Sequence, residues 1–303
     1  MSQKCGIIID ILLRKDLTRA MMRPKRVAAI QDISGIGRCS LTVIIPVLSA
    51  MGVQVCPIPT AVLSAHTGYG EFVMHDLTDF TIPALEHYKK LGTDFDCVYS
   101  GFLASSEQID HCLEFFASFK GAMKVVDPVM GDNGKSYQTY TPELCSRMSE
   151  LVAVADIITP TLTEAAILLG EEFPAGEIEP EAMKSWLTRL SEMGPQTVVI
   201  TSVPLKNGGI CSVGYEAGRF WKVTGEYVPI SYSGSGDMYT SILIGGLLEG
   251  DSLPAAMARA AEFTESSIKE TYKQGTPWTD GIMFEPMLGR LISGNEPTGY
   301  TEL

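Results

Sequence analysis

The chain has 303 residues, 45% hydrophobic and 19% charged, with 36 acidic against 23 basic side chains and a formal net charge of −13. The apolar fraction excludes a disordered chain, and no apolar run approaches the ~18 residues of a membrane span. The acidic balance argues against broad nucleic-acid binding, which needs a basic surface to displace phosphate counterions. A small anionic ligand stays open, because a few local groups can hold one whatever the global sign.

Residues 1–24 read as an accessory segment ahead of a single domain over 25–303. Asp10 interrupts the apolar run Cys5 to Leu13, and the basic stretch ending in Arg23-Pro24-Lys25-Arg26 follows it. A secretory signal has the opposite order. Met22 is an alternative start. The seven cysteines are an odd number without a C-x-x-C pair or zinc-ligand spacing. They read as reduced thiols of a cytoplasmic protein.

From Lys25 onward, strand and helix patterns alternate. Val27 to Gln31 predicts a buried strand, and Asp32 to Arg38 a loop. Ser40 to Met51 predicts a helix, with Gly52 as its stop and an interior Pro46 that opposes it. Val53–Thr60 and Asp96–Ser100 predict strands, and Ser106–Phe119 a helix. The strand Lys124–Asp127 ends on a carboxylate. The helix Pro142–Val154, the strand Asp156–Thr159, and the helices Thr163–Leu169 and Pro180–Met193 follow. Thr197–Thr201 predicts a strand. Gly209–Tyr215 and Arg219–Glu226 alternate around Glu216-Ala-Gly218 as an antiparallel hairpin. Gly236–Leu248 and Leu253–Lys273 close the domain as helices. This order predicts an α/β fold with a mostly parallel central sheet and helices on both faces. Ligands of such folds bind at the carboxyl ends of the strands.

Three segments stand at such ends. In Ser233-Gly-Ser-Gly-Asp-Met-Tyr-Thr240, glycines precede an apolar helix whose N-terminus can hold an anion. Asp237 suits a base that takes a proton from an alcohol attacking a phosphoryl group. The competing reading is an Asp that only caps the helix. Asp127-Pro-Val-Met-Gly-Asp132 offers two acids for a hydrated Mg²⁺ and a nucleotide phosphate, or alternatively a plain Asp-Pro turn. Thr159-Pro-Thr-Leu-Thr-Glu164 is an ordinary helix start, or places Glu164 within reach of the metal through water.

Further segments complete the pattern: Ala29-Ile-Gln31, Ser64-Ala-His-Thr-Gly-Tyr69, Ser100-Gly-Phe-Leu103, Ile157-Ile-Thr-Pro160 and Met193-Gly-Pro-Gln-Thr-Val-Val-Ile-Thr-Ser202. Together with Asp127-Pro-Val-Met-Gly131 and Gly234-Ser-Gly-Asp237 they resemble the pyridoxal kinase branch of the ribokinase-like superfamily, from about Arg26 to about Lys273. The resemblance implies an ATP-dependent kinase acting on the 5′-hydroxymethyl group of pyridoxal, pyridoxamine or pyridoxine. Asp237 would be the base, with the backbone of Gly234, Ser235 and Gly236 as the anion hole. Asp127, Asp132, Thr159, Glu164, Thr201 and Ser202 would surround the ATP phosphates, and Asp127 and Glu164 the Mg²⁺. Asp32, His66, Thr67, Phe102 and Ser233 would contact the B6 vitamer. A homodimer is implied, with no nucleic-acid or membrane partner; whether a monovalent cation such as K⁺ assists stays open.

The chain departs from the family pattern on the substrate side. Asp32 stands where serine is common, Phe102 where tyrosine is, Thr161 where asparagine is and Ser233 where valine is. The loop Ser34-Gly-Ile-Gly-Arg38 also differs. These changes keep two alternatives in view: a kinase for hydroxymethylpyrimidine or another small alcohol, and an inactive ligand-binding homologue.

Overall fold

The computed structural model describes residues 23–137, 140–174, 176, 178–206, 208–292 and 299–303. All but the last two residues of the expected accessory segment, Met22 included, lie outside the described residues. In chain order the strands are β1 (Arg26–Ser34), β2 (Gln54–Leu63), β3 (Met74–Asp76), β4 (Cys97–Ser100), β5 (Met123–Val126), β6 (Gly131–Asp132), β7 (Lys135–Ser136), β8 (Ile157–Ile158), β9 (Thr197–Pro204), β10 (Ile210–Glu216), β11 (Arg219–Gly225) and β12 (Tyr300–Glu302). Ten of them form one sheet in the order β12-β11-β10-β9-β8-β5-β4-β1-β2-β3, and β6 with β7 makes a small hairpin. From β2 to β9 the pairings are parallel. Both edges are finished by antiparallel strands. The expected mostly parallel sheet is therefore seen, with the predicted hairpin at β10–β11.

The central strands read as apolar runs because both of their faces are covered. Val27, Ala28, Ala29 and Ile30 of β1 are all fully buried. On one face lie α1 (Leu41–Ala50), α7 (Ser235–Glu249) and α8 (Leu253–Lys273). On the other lie α2 (Thr78–Lys90), α3 (Glu107–Ser118), α4 (Pro142–Val152), α5 (Leu162–Leu169) and α6 (Pro180–Glu192). A short α9 (Gly289–Ile292) comes last. Helix α1 continues through Pro46, with Leu41, Val43, Ile44, Val47 and Leu48 buried. Burying such side chains is worth roughly 1.5–3 kcal/mol each, which outweighs the ~3 kcal/mol penalty of one interior proline.

The structure corrects several boundaries. β1 continues to Ser34 past an irregularity, pairing Ile33 with Val62 and Ser34 with Leu63, so Asp32 lies in a strand rather than opening the loop. β9 continues to Pro204. Its partner β10 pairs Cys211 with Val203 but Val213 with Ile200, which leaves Thr201 and Ser202 as a bulge. Ser202 accordingly has a φ of 60°. A bulge bends its strand and re-aims side chains, and both residues here face a cavity described below. The sequence pattern did not anticipate β3, α2, the β6–β7 hairpin or the edge strand β12, where the N–H of Leu303 donates to the Phe220 carbonyl at 3.1 Å. No described helix is long and apolar enough to cross a membrane. None of the six described cysteines forms a disulfide.

Candidate active site

The start of α7 is shaped by two glycines that do different things. Gly234, the residue before the helix, has a φ of 82°, and a β-carbon there would lie 2.3 Å from the Arg38 carbonyl oxygen. Only glycine fits that turn. Gly236 has no protein atom within 4 Å of the place a β-carbon would occupy. The free space beside it belongs to the cavity that Ser235 and Gly236 line. A first helical turn leaves backbone N–H groups without intrahelical partners. Among the described residues nothing accepts from the N–H of Gly236 or Asp237, while that of Ser235 makes a long 3.4 Å contact to the Tyr232 carbonyl.

Asp237 is not a helix cap. No side chain caps α7, and Asp237 Oδ2 instead accepts from the backbone N–H of Ser40 at 2.7 Å. Burial pushes its carboxyl up to about 7, the charge of Asp32 adds to the rise, and the Ser40 N–H opposes it. A carboxylate poised near neutrality is suited to accept a proton from an alcohol.

Beneath this turn, the carboxyl ends of β5 and β8 carry the other acids. The Asp127 backbone N–H donates to the Ser100 carbonyl, and its buried carboxyl is raised well above the ordinary carboxylate range by burial and by the charges of Glu164 and Asp237. Glu164 closes a reciprocal capping box at α5. Its Oε2 accepts from the Thr161 N–H at 2.7 Å, and the Thr161 hydroxyl accepts from the Glu164 N–H at 3.3 Å. Oε1 accepts from the Met130 N–H at 3.0 Å. Thus Glu164 is both the helix start and the anchor of the 127–132 turn, and burial still raises its pKa. The buried Thr159 hydroxyl accepts from Thr240 on α7 at 3.1 Å, which ties β8 to the helix carrying Asp237. Asp132 lies nearer the surface, accepting from the Asn133 N–H at 2.8 Å and from the Ser231 hydroxyl at 3.4 Å.

On the other side of Asp237, the structure gathers Asp32, His66 and Ser233. Asp32 is buried and accepts from the Ser34 hydroxyl at 2.8 Å; burial raises its pKa, and His66 is among the neighbours that oppose the rise. His66 Nδ1 accepts from the Gly68 N–H at 3.1 Å, so Nε2 is assigned the proton it donates to the Thr279 carbonyl at 2.6 Å. The Ser233 hydroxyl stands 3.4 Å from Nδ1. His66 thereby clamps the 278–281 segment against the turn before α7. The half-buried Thr67 opens a one-turn helix, Thr67–Tyr69. Phe102 stands apart from this group: its ring packs edge-on against Tyr140 at 5.9 Å, and its carbonyl accepts from the Thr60 hydroxyl at 3.0 Å.

A cavity of about 410 Å³ opens from the turn before α7. Asp132, Thr201, Ser202, Ser235 and Gly236 line its polar end. Its far end is made by Val223 and Gly225 of β11, Val228, and the α8 face Ala261, Thr264, Glu265 and Ile268. Sequence reading found the polar end and missed the far end. The signal was present in the i, i+3, i+4, i+7 spacing on α8, but that spacing also fits a core-facing stripe.

A family model described as phosphomethylpyrimidine kinase matches residues 45–280. A Bacteroides thetaiotaomicron protein, provisionally named a phosphomethylpyrimidine kinase and crystallised with pyridoxal, is 42% identical with a TM-score of 0.89, over 92% of this chain and 100% of that one. Lactobacillus plantarum pyridoxal kinase is 28% identical with a TM-score of 0.81, over 88% of this chain and 96% of that one. Arabidopsis thaliana pyridoxal kinase is 30% identical over 73% of each chain.

Proposed function

The chain belongs to the phosphomethylpyrimidine kinase family, and from that premise we propose that it transfers the γ-phosphoryl group of ATP to the 5′-hydroxymethyl group of a B6 vitamer. It is a phosphotransferase with an alcohol acceptor, of the pyridoxal kinase type. The observation that carries the reading is Asp237, a buried carboxyl near neutrality, one residue from the open Gly236 turn that starts the cavity.

In this reading the nucleotide lies in the cavity with its phosphates toward Thr201, Ser202, Ser235 and Gly236. The substrate alcohol approaches from the Asp32–His66–Ser233 side and loses its proton to Asp237 Oδ1, the oxygen that the Ser40 N–H leaves free. The N–H groups of the first turn of α7, with the helix dipole, meet the charge on the phosphoryl oxygens. Thr159 and the Glu164 box hold the strand ends in place, so most of the acceleration comes from positioning and electrostatics.

The oxygen donors present suit a hydrated Mg²⁺. That ion is held by one or two carboxylates plus substrate phosphates rather than by a protein cage. Asp127 and Asp132 would hold it, and Glu164, whose two oxygens are engaged by backbone N–H groups, would act through its charge. When bound, the ion neutralises the phosphates and offsets the mutual repulsion of the buried acids.

We assign a cytoplasmic site of action and a homodimer to the same reading. The apolar side chains Val62, Val73, Met74 and Phe80, exposed around the β2–β3 edge, offer a face for a second copy.

A specific observation keeps a second acceptor in play: the matched family model and the 42% identical relative both carry the phosphomethylpyrimidine kinase description. The test is ATP consumption with pyridoxal, pyridoxamine, pyridoxine and hydroxymethylpyrimidine. Preference for a B6 vitamer is expected. Clear preference for the pyrimidine overturns the assignment of the acceptor, and turnover with none of these alcohols overturns the kinase reading itself.

A further inference from the structure

Ser40 stands immediately before α1, where a serine ordinarily takes an extended backbone and caps the helix with its hydroxyl. Here it does neither. Its φ is 50° and its ψ −134°, close to the mirror image of an extended strand, and its side chain makes no capping hydrogen bond. Glycine enters that region freely and serine does not. Such strain persists only where the surroundings over-determine it, and it collects at working sites. The conformation presents the Ser40 N–H to Asp237 Oδ2 at 2.7 Å.

Ser40 is held in this state from both sides. On the helix side its carbonyl accepts from the N–H groups of Val43 and Ile44, both at 2.9 Å. On the other side Arg38 is tied to the segment 280–285, which comes from beyond α8. The Arg38 N–H donates to the Asp280 carbonyl at 3.2 Å, its Nη1 to the same oxygen at 3.1 Å, and its Nε to Glu285 Oε1 at 2.6 Å. The two backbones touch: a β-carbon on Gly281, whose φ is 76°, would lie 2.5 Å from the Arg38 nitrogen. That contact is with main-chain atoms, so no side-chain rotation relieves it. The segment is also bonded to the turn before α7, where the Ile282 N–H donates to the Ser233 carbonyl at 3.0 Å. Arg38 therefore fixes residues 38–40 in the same frame as the helix that carries Asp237. The Arg38 and Glu285 side chains are 29% and 52% exposed, and a pair so exposed contributes little to folding.

We propose that Arg38 and Glu285 are positioning residues for phosphoryl transfer: by tying the loop after β1 to the 280–285 segment, they hold Ser40 in its strained backbone and so keep Asp237 turned with one oxygen free for the acceptor alcohol. This rests on the reading of Asp237 as the base. Strain of this kind corresponds to a factor of roughly five to a hundred between the held and the relaxed backbone, and that factor bounds the turnover the anchor protects.

The experiment measures kcat and KM for ATP in the wild type, Arg38→Ala, Ser40→Gly and the double variant, with the preferred acceptor of the alcohol panel. Arg38→Ala is expected to lower kcat by roughly tenfold and to leave KM for ATP within about twofold. Glycine keeps the backbone at position 40 without an anchor. In the Ser40→Gly background the same Arg38→Ala change should therefore cost less than about threefold in kcat, whatever Ser40→Gly costs by itself. A residue that only supports the fold would lower kcat equally in both backgrounds. Glu285→Gln removes only the charge of a half-exposed side chain, so it serves the same comparison if Arg38→Ala does not fold. It is expected to lower kcat by about threefold, with the loss again absent in Ser40→Gly. Wild-type kcat in Arg38→Ala or, should that variant not fold, in Glu285→Gln overturns the proposal while the kinase reading stands. Equal losses in the Ser40 and Ser40→Gly backgrounds do the same. A wild type that phosphorylates none of the alcohols overturns both.

Discussion

Asp237 Oδ2 accepts a 2.7 Å hydrogen bond from the backbone N–H of Ser40, across 197 residues of chain. The bond joins the first turn of α7 to the residue just before α1 and leaves the other carboxylate oxygen for chemistry. Asp237→Asn can preserve this bond through its amide oxygen but cannot take a proton. Turnover is expected to fall by roughly 10²–10⁴-fold, the usual loss when a positioned base is removed. ATP binding, followed by calorimetry, should survive. Near-normal turnover in this variant would remove Asp237 from the base role.

The same carboxyl predicts the pH dependence. Its pKa in the folded protein is raised to about 7, so kcat/KM should decline as pH falls through that value. The effect on stability has the opposite direction. A carboxyl whose folded pKa lies above its unfolded one favours folding at low pH, and that contribution is lost as pH rises through about 7. At pH 8 the ionised buried group costs on the order of 4 kcal/mol before relaxation. Asp237→Asn should therefore be more stable than the wild type at pH 8, by roughly 2 kcal/mol or more, with little difference near pH 4. Denaturant melts at the two pH values measure this; an unchanged difference would count against a buried, ionising Asp237.

Gly234→Ala and Gly236→Ala should fail in different ways. At Gly234 the added carbon meets the Arg38 carbonyl at 2.3 Å on a backbone with φ of 82°, so thermal stability and activity should fall together. The expected cost is about 1–3 kcal/mol or more. At Gly236 the added carbon meets no protein atom, so the melting temperature should hold while KM for ATP rises. A stable Gly234→Ala, or a Gly236→Ala with wild-type KM, would contradict the two roles.

The structural duty of Thr161 is to cap α5. Its hydroxyl accepts from the Glu164 N–H at 3.3 Å. Thr161→Ala should destabilise the fold by about 1 kcal/mol, and Thr161→Asn, an equally good cap, by little. Comparing KM for Mg·ATP in the two variants separates capping from any nucleotide contact. If Thr161→Asn lowers KM while leaving stability unchanged, the side chain at position 161 also acts on the nucleotide side.

Much of the fold was legible because its signals are local. The buried runs Val27–Ile30 and Val198–Ile200 announce central strands, and the start of α7 is announced by glycines followed by an apolar helix. The edge strand β12 and the hairpin β6–β7 are short, and β12 in particular is exposed, so neither carries a periodic apolar pattern. Helix α2 buries only Thr81, Ala84 and Leu85, too few for a clear stripe.

By itself the sequence determined which groups would stand at the carboxyl ends of the strands, because strand order along a βα chain places each strand's end on the same edge of a parallel sheet. Asp127, Thr159 and the Gly234–Asp237 turn follow from that rule. Only the tertiary structure decided how those groups are used. Whether Asp237 caps its own helix or bonds to Ser40, whether Glu164 is free or closes a box against Met130 and Thr161, and which face of α8 walls the cavity all depend on contacts between distant segments. The Ser40 bond and the cavity wall arise from packing α1, α7 and α8 on a common sheet face, and the Met130 bond from the 127–132 turn folding back onto the start of α5 on the other; no periodicity within any one segment encodes them.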